Sequence, residues 1–335
     1  IFPLLDPILL PLTPAIASTI ADYLQLMARQ VYVQLPHNCD NLDTDSAQDW
    51  SWHWQCKCSM RLVTTSPYQY VSTIAHRLAA KSLFTPLEIC QNLQPSIGSV
   101  VTQAHSDLAL DCWYNDAGYI YFQLTTEAIG KWLNYIHDLP LNLQLHSDRR
   151  SSVNMAVYAH ARCCSLLKLA AAEQVVAITD DWQIVAPECS SDRSPQLEQI
   201  CRENPFRAAS NRLFEHPAEE RLIYVLMRVL DSIYEQNWED KIDRQLEFGE
   251  SEGSDSARIV RQNLIENKQS PNWSKLTIDL AQSWLEFDRH CRIFGDVKSQ
   301  NPRLAIARCG LTAICRRYLQ VLLEDYLGVT APIEL

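Results

Sequence analysis

The chain has 335 residues, of which 47% are hydrophobic and 21% charged, with 29 Lys and Arg against 40 Asp and Glu for a net charge of −11. That balance supports two domains with packed cores and excludes a disordered tail. It also excludes indiscriminate coating of nucleic acid or an anionic membrane, so any RNA contact must come from a local basic patch.

The apolar opening Ile1–Ile20 is broken by Pro3, Pro7, Pro11 and Pro14 and has no basic region ahead of it, so it is expected neither to target nor to span a membrane. A first residue other than Met suggests a processed or incomplete start. Ile16, Ile20, Leu24 and Met27 predict a helix over Ala15–Gln30, followed by a strand at Val31–Gln34 and a polar loop at Pro36–Asp49. Trp50, Trp52 and Trp54 alternate with Ser51 and His53 in a pattern that runs to Val63, as in a half-buried strand. A helix is expected over Thr73–Ser82. Another follows from Pro86, with Thr85 as its cap and Pro86 in the first turn. Leu108–Trp113 and Tyr119–Leu124 flank the turn signal Asn115-Asp116-Ala117-Gly118, which predicts a hairpin. Thr126–His137 closes the first half as a helix. Residues 1–140 therefore read as an α+β domain.

After Pro140 the strand signals nearly stop. Helical spacing dominates Val153–Glu173, Ala218–Gln236, Trp273–Ile293 and Pro302–Leu327, with loop chemistry at Cys189–Pro195 and in the acidic stretch Gly249–Ser256. Residues 151–335 are expected to form an all-α antiparallel bundle. In the last helix Leu304, Leu311, Ile314, Tyr318 and Leu322 recur at core-facing steps.

The 12 cysteines are scattered through a chain far larger than a disulfide-stapled module, which suits a reducing compartment and a soluble cytoplasmic protein. His37, Cys39, His53, Cys56 and Cys58 supply nitrogen and sulfur within one segment and could hold zinc. The Cys-x-Cys spacing and the shared strand face of Cys56 and Cys58 favour packed thiols instead. Cys163 and Cys164 lie near His160, but the partner groups of a nucleophilic site are missing. No cofactor is implied.

Tyr158-Ala159-His160-Ala161-Arg162-Cys163-Cys164 resembles the helix that opens the anticodon-binding (DALR) domain of arginyl-tRNA synthetases. Glu220-Arg221-Leu222-Ile223 resembles that family's second helix. Leu280-Ala281, Trp284, Phe287 and Cys291-Arg292-Ile293 are similar to a third block. Ala307-Arg308, Leu311, Leu319 and Leu327–Pro332 are similar to its closing run. The resemblance covers residues 151–335 in the family's order. In the first half Tyr70–Thr73, the helix from Pro86, and Gly118-Tyr119-Ile120-Tyr121-Phe122 resemble the family's additional N-terminal domain, which contacts the tRNA elbow. Four departures stand out. Tyr68-Gln69 replaces a Gly-Asp, Tyr121 an Asn, Asp288 an aromatic residue and Leu335 a closing Met.

In that family a catalytic domain lies between the two modules, whereas here only about Pro140–Arg150 separates them. No HxGH-like or KMSKS-like sequence occurs. Among 8 glycines the nearest pair, Gly249 and Gly253, sits amid Glu250, Glu252 and Asp255, the wrong charge for a phosphate cradle. The resemblance thus implies a non-catalytic paralogue that binds tRNA or a tRNA-like RNA as an adaptor, with no membrane association. The alternative is a protein–protein scaffold or assembly factor that has lost RNA binding. Tyr158, His160 and Arg162 are candidate RNA contacts on one helix, Arg308, Arg316 and Arg317 on the last, and Tyr119 and Tyr121 in the first half. The chain is expected to catalyse no arginine-dependent pyrophosphate exchange with ATP. Exchange by protein freed of contaminating synthetase would overturn that expectation.

Overall fold

The computed structural model describes mainly residues 60–93, 110–139, 153–185, 214–248 and 271–334. A few positions within those spans are excepted, and Ala15–Ala17, Ile20, Ala21, Leu24 and Phe206 are added. The expected Val31–Gln34 strand, Pro36–Asp49 loop and Trp50–Trp54 segment lie outside the described residues. So do both polar loops of the second half and all five candidate zinc ligands. Among the described residues no His, Cys, Asp and Glu group could hold a metal, and no helix is long and apolar enough to cross a membrane.

The chain combines a small antiparallel sheet with a majority of helix. Its two compact units are each discontinuous in sequence, one comprising Ile1–Ala128 with Leu230–Ser270 and the other Ile129–Val229 with Pro271–Leu335. A single cut between residues 140 and 151 does not describe that division.

In the first unit four strands pair antiparallel in the order β1-β2-β4-β3: β1 Met60–Leu62, β2 Gln69–Ser72, β3 Leu110–Tyr114 and β4 Ile120–Leu124. The predicted hairpin is present. Asn115 accepts at its backbone oxygen from Gly118 N (2.9 Å) and at its side chain from Tyr119 N (3.0 Å). Gly118 has φ +81°, and a Cβ there would lie 2.4 Å from Pro86 Cβ, so conformation and space both require glycine. Alternation buries Tyr70, Ile120, Phe122 and Leu124 on one face. Helix α1, with described positions between 16 and 24, buries Ile16, Ile20 and Leu24 as its spacing predicts. Asp231 ties it to the sheet, accepting from Ala17 N at 3.1 Å and from the Tyr70 hydroxyl at 2.7 Å. Two helices flank the loop before the hairpin, α2 Ile74–Ala79 and α3 at 86–93. At α3, Glu88 N donates to Thr85 Oγ1 (3.3 Å) and Thr85 N to Glu88 Oε2 (2.7 Å), a reciprocal capping box.

Helix α4 (Thr126–Asp138) occupies the predicted span. The helices that follow are α5 Asn154–Ala172, α6 Pro217–Phe248, α7 Trp273–His290, α8 Asp296–Gln300 and α9 Pro302–Val321, the last ending in a π-helical turn, Leu322–Tyr326. Asn272 and Asn301 cap α7 and α9 by accepting from Lys275 N and Leu304 N, and Pro302 fills the first turn of α9. In the second unit α9 packs against α5 and α7. Every residue from Ala305 to Arg316 is buried, so α9 is enclosed and not merely apolar on one stripe. Small residues at Ala305, Ala307, Cys309, Ala313 and Cys315 let its neighbours approach from several sides. One short hairpin is unforeseen by the sequence, β5 Ala177–Ile178 pairing with β6 Ile184–Val185.

Gly310 marks the tightest approach to α9, where an added Cβ would lie 2.5 Å from Phe206 Cζ. Phe206 is itself buried, with the rings of His137 and Phe214 each 6.3 Å away, so it has little room to yield. Gly310→Ala gains at most about 1 kcal/mol in helix propensity but overpacks a closed site at a cost of about 1–3 kcal/mol. It should therefore lower the urea midpoint, and Phe206→Leu in the same chain should recover part of the loss.

Candidate functional site

Helical geometry separates the three candidates on α5. Tyr158 and Arg162 are one turn apart and share the exposed face, at 49% and 46% exposure. His160 falls on the opposite side and is 1% exposed. Its Nδ1 lies 2.8 Å from the Pro332 carbonyl oxygen, which can only accept, so Nδ1 carries the proton; Nε2 has no partner. Desolvation lowers the His160 pKa. The nearby Arg316 acts in the same direction, and the Pro332 carbonyl and Glu324 act against it. His160 is a neutral core histidine and not a surface contact for RNA. Burial also pushes the Cys163 and Cys164 thiols up, so neither supplies a thiolate.

Arg162 Nε donates to Asp288 Oδ2 on α7 at 3.1 Å. Asp288 stands where the resembled family has an aromatic residue. It holds the one arginine of this helix face that was expected to meet phosphate.

The three candidate arginines of α9 do not form a surface stripe; of the four on this helix only Arg303, in its first turn, is exposed. Arg308 is 8% exposed, and it donates from Nε to Glu219 Oε1 at 2.7 Å and from Nη1 to the Arg292 carbonyl at 2.6 Å. Arg316, equally buried, lies 4.7 Å above the Trp182 ring and donates to Gln320 Oε1 at 2.9 Å. Arg317 is half-buried and donates to the carbonyls of His137 and Leu139. Because α9 is enclosed from Ala305 onward, Arg308, Arg316 and Arg317 meet protein groups on whichever side they leave the helix.

In the first unit the strand register gathers Arg61, Val71, Tyr121 and Trp113 into one row on the face opposite the buried one. The Trp113 and Tyr121 rings stack at 5.6 Å and 12°, and Asn115 Nδ2 donates to the Tyr121 hydroxyl at 3.3 Å. Trp113 is 42% exposed. Tyr119 is also exposed, its ring 4.7 Å from that of His76. Trp113 and Arg61 were not singled out from the sequence. The signal was available for Trp113, because the Asn115–Gly118 turn sets it opposite Tyr121. Trp182, on the unforeseen β5–β6 hairpin, was missed for want of that hairpin.

No protein-family model matches the chain, and no curated protein or solved structure matches it.

The Glu219–Arg308 pair gives a direct test of the inward placement. Glu219→Ala leaves a buried guanidinium uncompensated and removes the acceptor for two backbone N–H groups. It should cost about 3–5 kcal/mol in chemical unfolding. Arg308→Met should cost less, since Glu219 keeps its backbone donors, and should leave any tRNA affinity unchanged. A selective loss of tRNA affinity on Arg308→Met would contradict the burial.

Proposed function

We propose that this chain is a non-catalytic arginyl-tRNA synthetase-like protein that binds tRNA or a tRNA-like RNA and acts as an adaptor, its helical half a DALR-type bundle. The observation that carries the reading is the open sheet face. There a stacked Trp113–Tyr121 pair shares a cross-strand row with Arg61, from which Val71 separates it. Splayed bases of a folded RNA stack on such rings, and a guanidinium meets the adjoining phosphates. Exposed Tyr158 on α5 offers a further stacking ring beside Arg162.

One observation favours the rival reading of a protein–protein scaffold. The Arg162–Asp288 pair neutralises the charge that phosphate would seek, and Arg308 and Arg316 of α9 are turned inward. A surface selected for phosphate would keep those cations available.

Filter-binding titrations with unmodified tRNA transcripts separate the two readings. Trp113→Ala should weaken binding by about 1–3 kcal/mol if bases stack there. Asp288→Asn, which releases Arg162, should tighten binding by roughly two- to fivefold, in keeping with an exposed pair worth under about 1 kcal/mol. Affinity should fall steeply with added salt. No measurable tRNA binding by the wild type, together with an Asp288→Asn variant that loses a native protein partner, would replace the RNA reading with the scaffold.

A further inference from the structure

A cleft of about 550 Å³ opens in the second unit between the β5–β6 turn and the end of α9. That volume suits a small organic molecule. At one end are Arg316 and Arg317, whose hydrogen bonds go to neutral groups, with the Asp138 carboxylate near enough to act on Arg317. Arg316 has the Trp182 ring and the Gln320 amide, and Arg317 has two backbone carbonyls. Arg316 is more than nine-tenths buried, yet its Nε has no hydrogen-bond partner. The same is true of Nε2 of His137, which also lines the cleft. Buried polar atoms in this condition are uncommon, since leaving one unpaired costs about 1–3 kcal/mol.

The other end of the cleft is acidic. Two helical turns beyond Arg316 and Arg317 the same wall presents Glu324 and Asp325, and the exposed turn that carries Trp182 adds Asp180 and Asp181 to the lining. Glu324 accepts from the Gln320 amide and from Ala331 N, both neutral donors. Desolvation, with Glu324 close by, raises the Asp325 pKa. Arg316, Gln320 and Glu324 form one hydrogen-bonded line along the wall, which fixes the cationic and anionic ends at a set separation.

A purely anionic ligand would be repelled by four carboxylates, and a purely cationic one by two guanidiniums. We propose that this cleft binds a small elongated zwitterion, its carboxylate toward Arg316 and Arg317 and its ammonium toward Glu324 and Asp325. An ω-amino acid or a short peptide has that chemistry. The assignment is independent of the RNA reading, which uses other surfaces.

Three probes of matched length isolate the two charges: ε-aminocaproate has both, caproate only the carboxylate and hexylamine only the ammonium. Calorimetric titration of the full chain at low salt should show ε-aminocaproate binding at least about tenfold more tightly than either half-ligand. Asp325→Asn should remove about tenfold of that affinity while leaving caproate binding no weaker. Should Asp325→Asn unfold, as judged by circular dichroism, Glu324→Gln at the same end carries the same expectation. Absence of binding, equal binding of all three probes, or an ε-aminocaproate affinity untouched by the substitutions would overturn the proposal.

Discussion

Glu219 is 1% exposed and has each of its carboxylate oxygens committed. Oε2 accepts from the backbone of Glu215 (3.0 Å) and His216 (2.9 Å), and Oε1 accepts from Arg308 Nε. Arg308 passes the connection on to the Arg292 carbonyl. One carboxylate and one guanidinium thereby join the entry of α6, the chain just after α7 and the middle of α9. A buried pair of this kind does not guarantee net stability, because desolvating two ions costs several kcal/mol before their attraction repays it. What it imposes is register: α9 cannot slide or rotate without stranding a charge. Two residues along, Gly310 against Phe206 adds a steric constraint of the same sense.

That constraint governs which side chains are left to act. With Arg308 drawn inward and Arg316 and Arg317 held by an aromatic ring and carbonyls, α9 contributes structure and one wall of a cleft, not a basic surface. Of the second unit's candidate RNA contacts, Tyr158 and Arg162 are the two left exposed, with Asp288 paired to Arg162. In the first unit the exposed chemistry rests on the sheet face, where strand alternation fixes which residues face outward. The net charge of −11 follows the same logic. In an acidic chain some cations are spent on internal pairs and others on surface pairs such as Arg228–Asp279 and Lys298–Glu173.

Much of the local structure was legible in the sequence because local chemistry determines it. Thr85-Pro86 with Glu88 specifies a helix start through its own hydrogen bonds. Asn115–Gly118 specifies a hairpin because only glycine tolerates the required φ at its last position. Long helical periodicity located α5, α7 and α9 to within a few residues. What was illegible depends on residues far apart in the chain. Arg308 and Glu219 are 89 positions apart, Arg162 and Asp288 are 126 apart, and His160 and Pro332 are 172 apart. Periodicity can assign a face to a helix, but not the number of faces its neighbours cover. For that reason an enclosed α9 read as an amphipathic one. The two-residue strands β5 and β6 are too short to show alternation, and Trp182 at φ +62° is a conformation no pattern announces.

The two places where sequence reasoning failed most completely share a physical feature: an aspartate or glutamate stands beside an arginine that the sequence alone would assign to phosphate. At Asp288 the carboxylate is on the surface and pairs directly, so phosphate must displace it before reaching Arg162. In the cleft Glu324 is joined to Arg316 only through Gln320, which leaves it to meet a ligand's far end instead. The first arrangement attenuates binding of any anion, while the second rejects an anion that lacks a matching cation. Discrimination by built-in repulsion needs no large affinity, because each wrong ligand carries an unpaired charge into a partly desolvated site. A carboxylate placed near an arginine therefore narrows what that arginine can accept, which the arginine's own position in the sequence does not reveal.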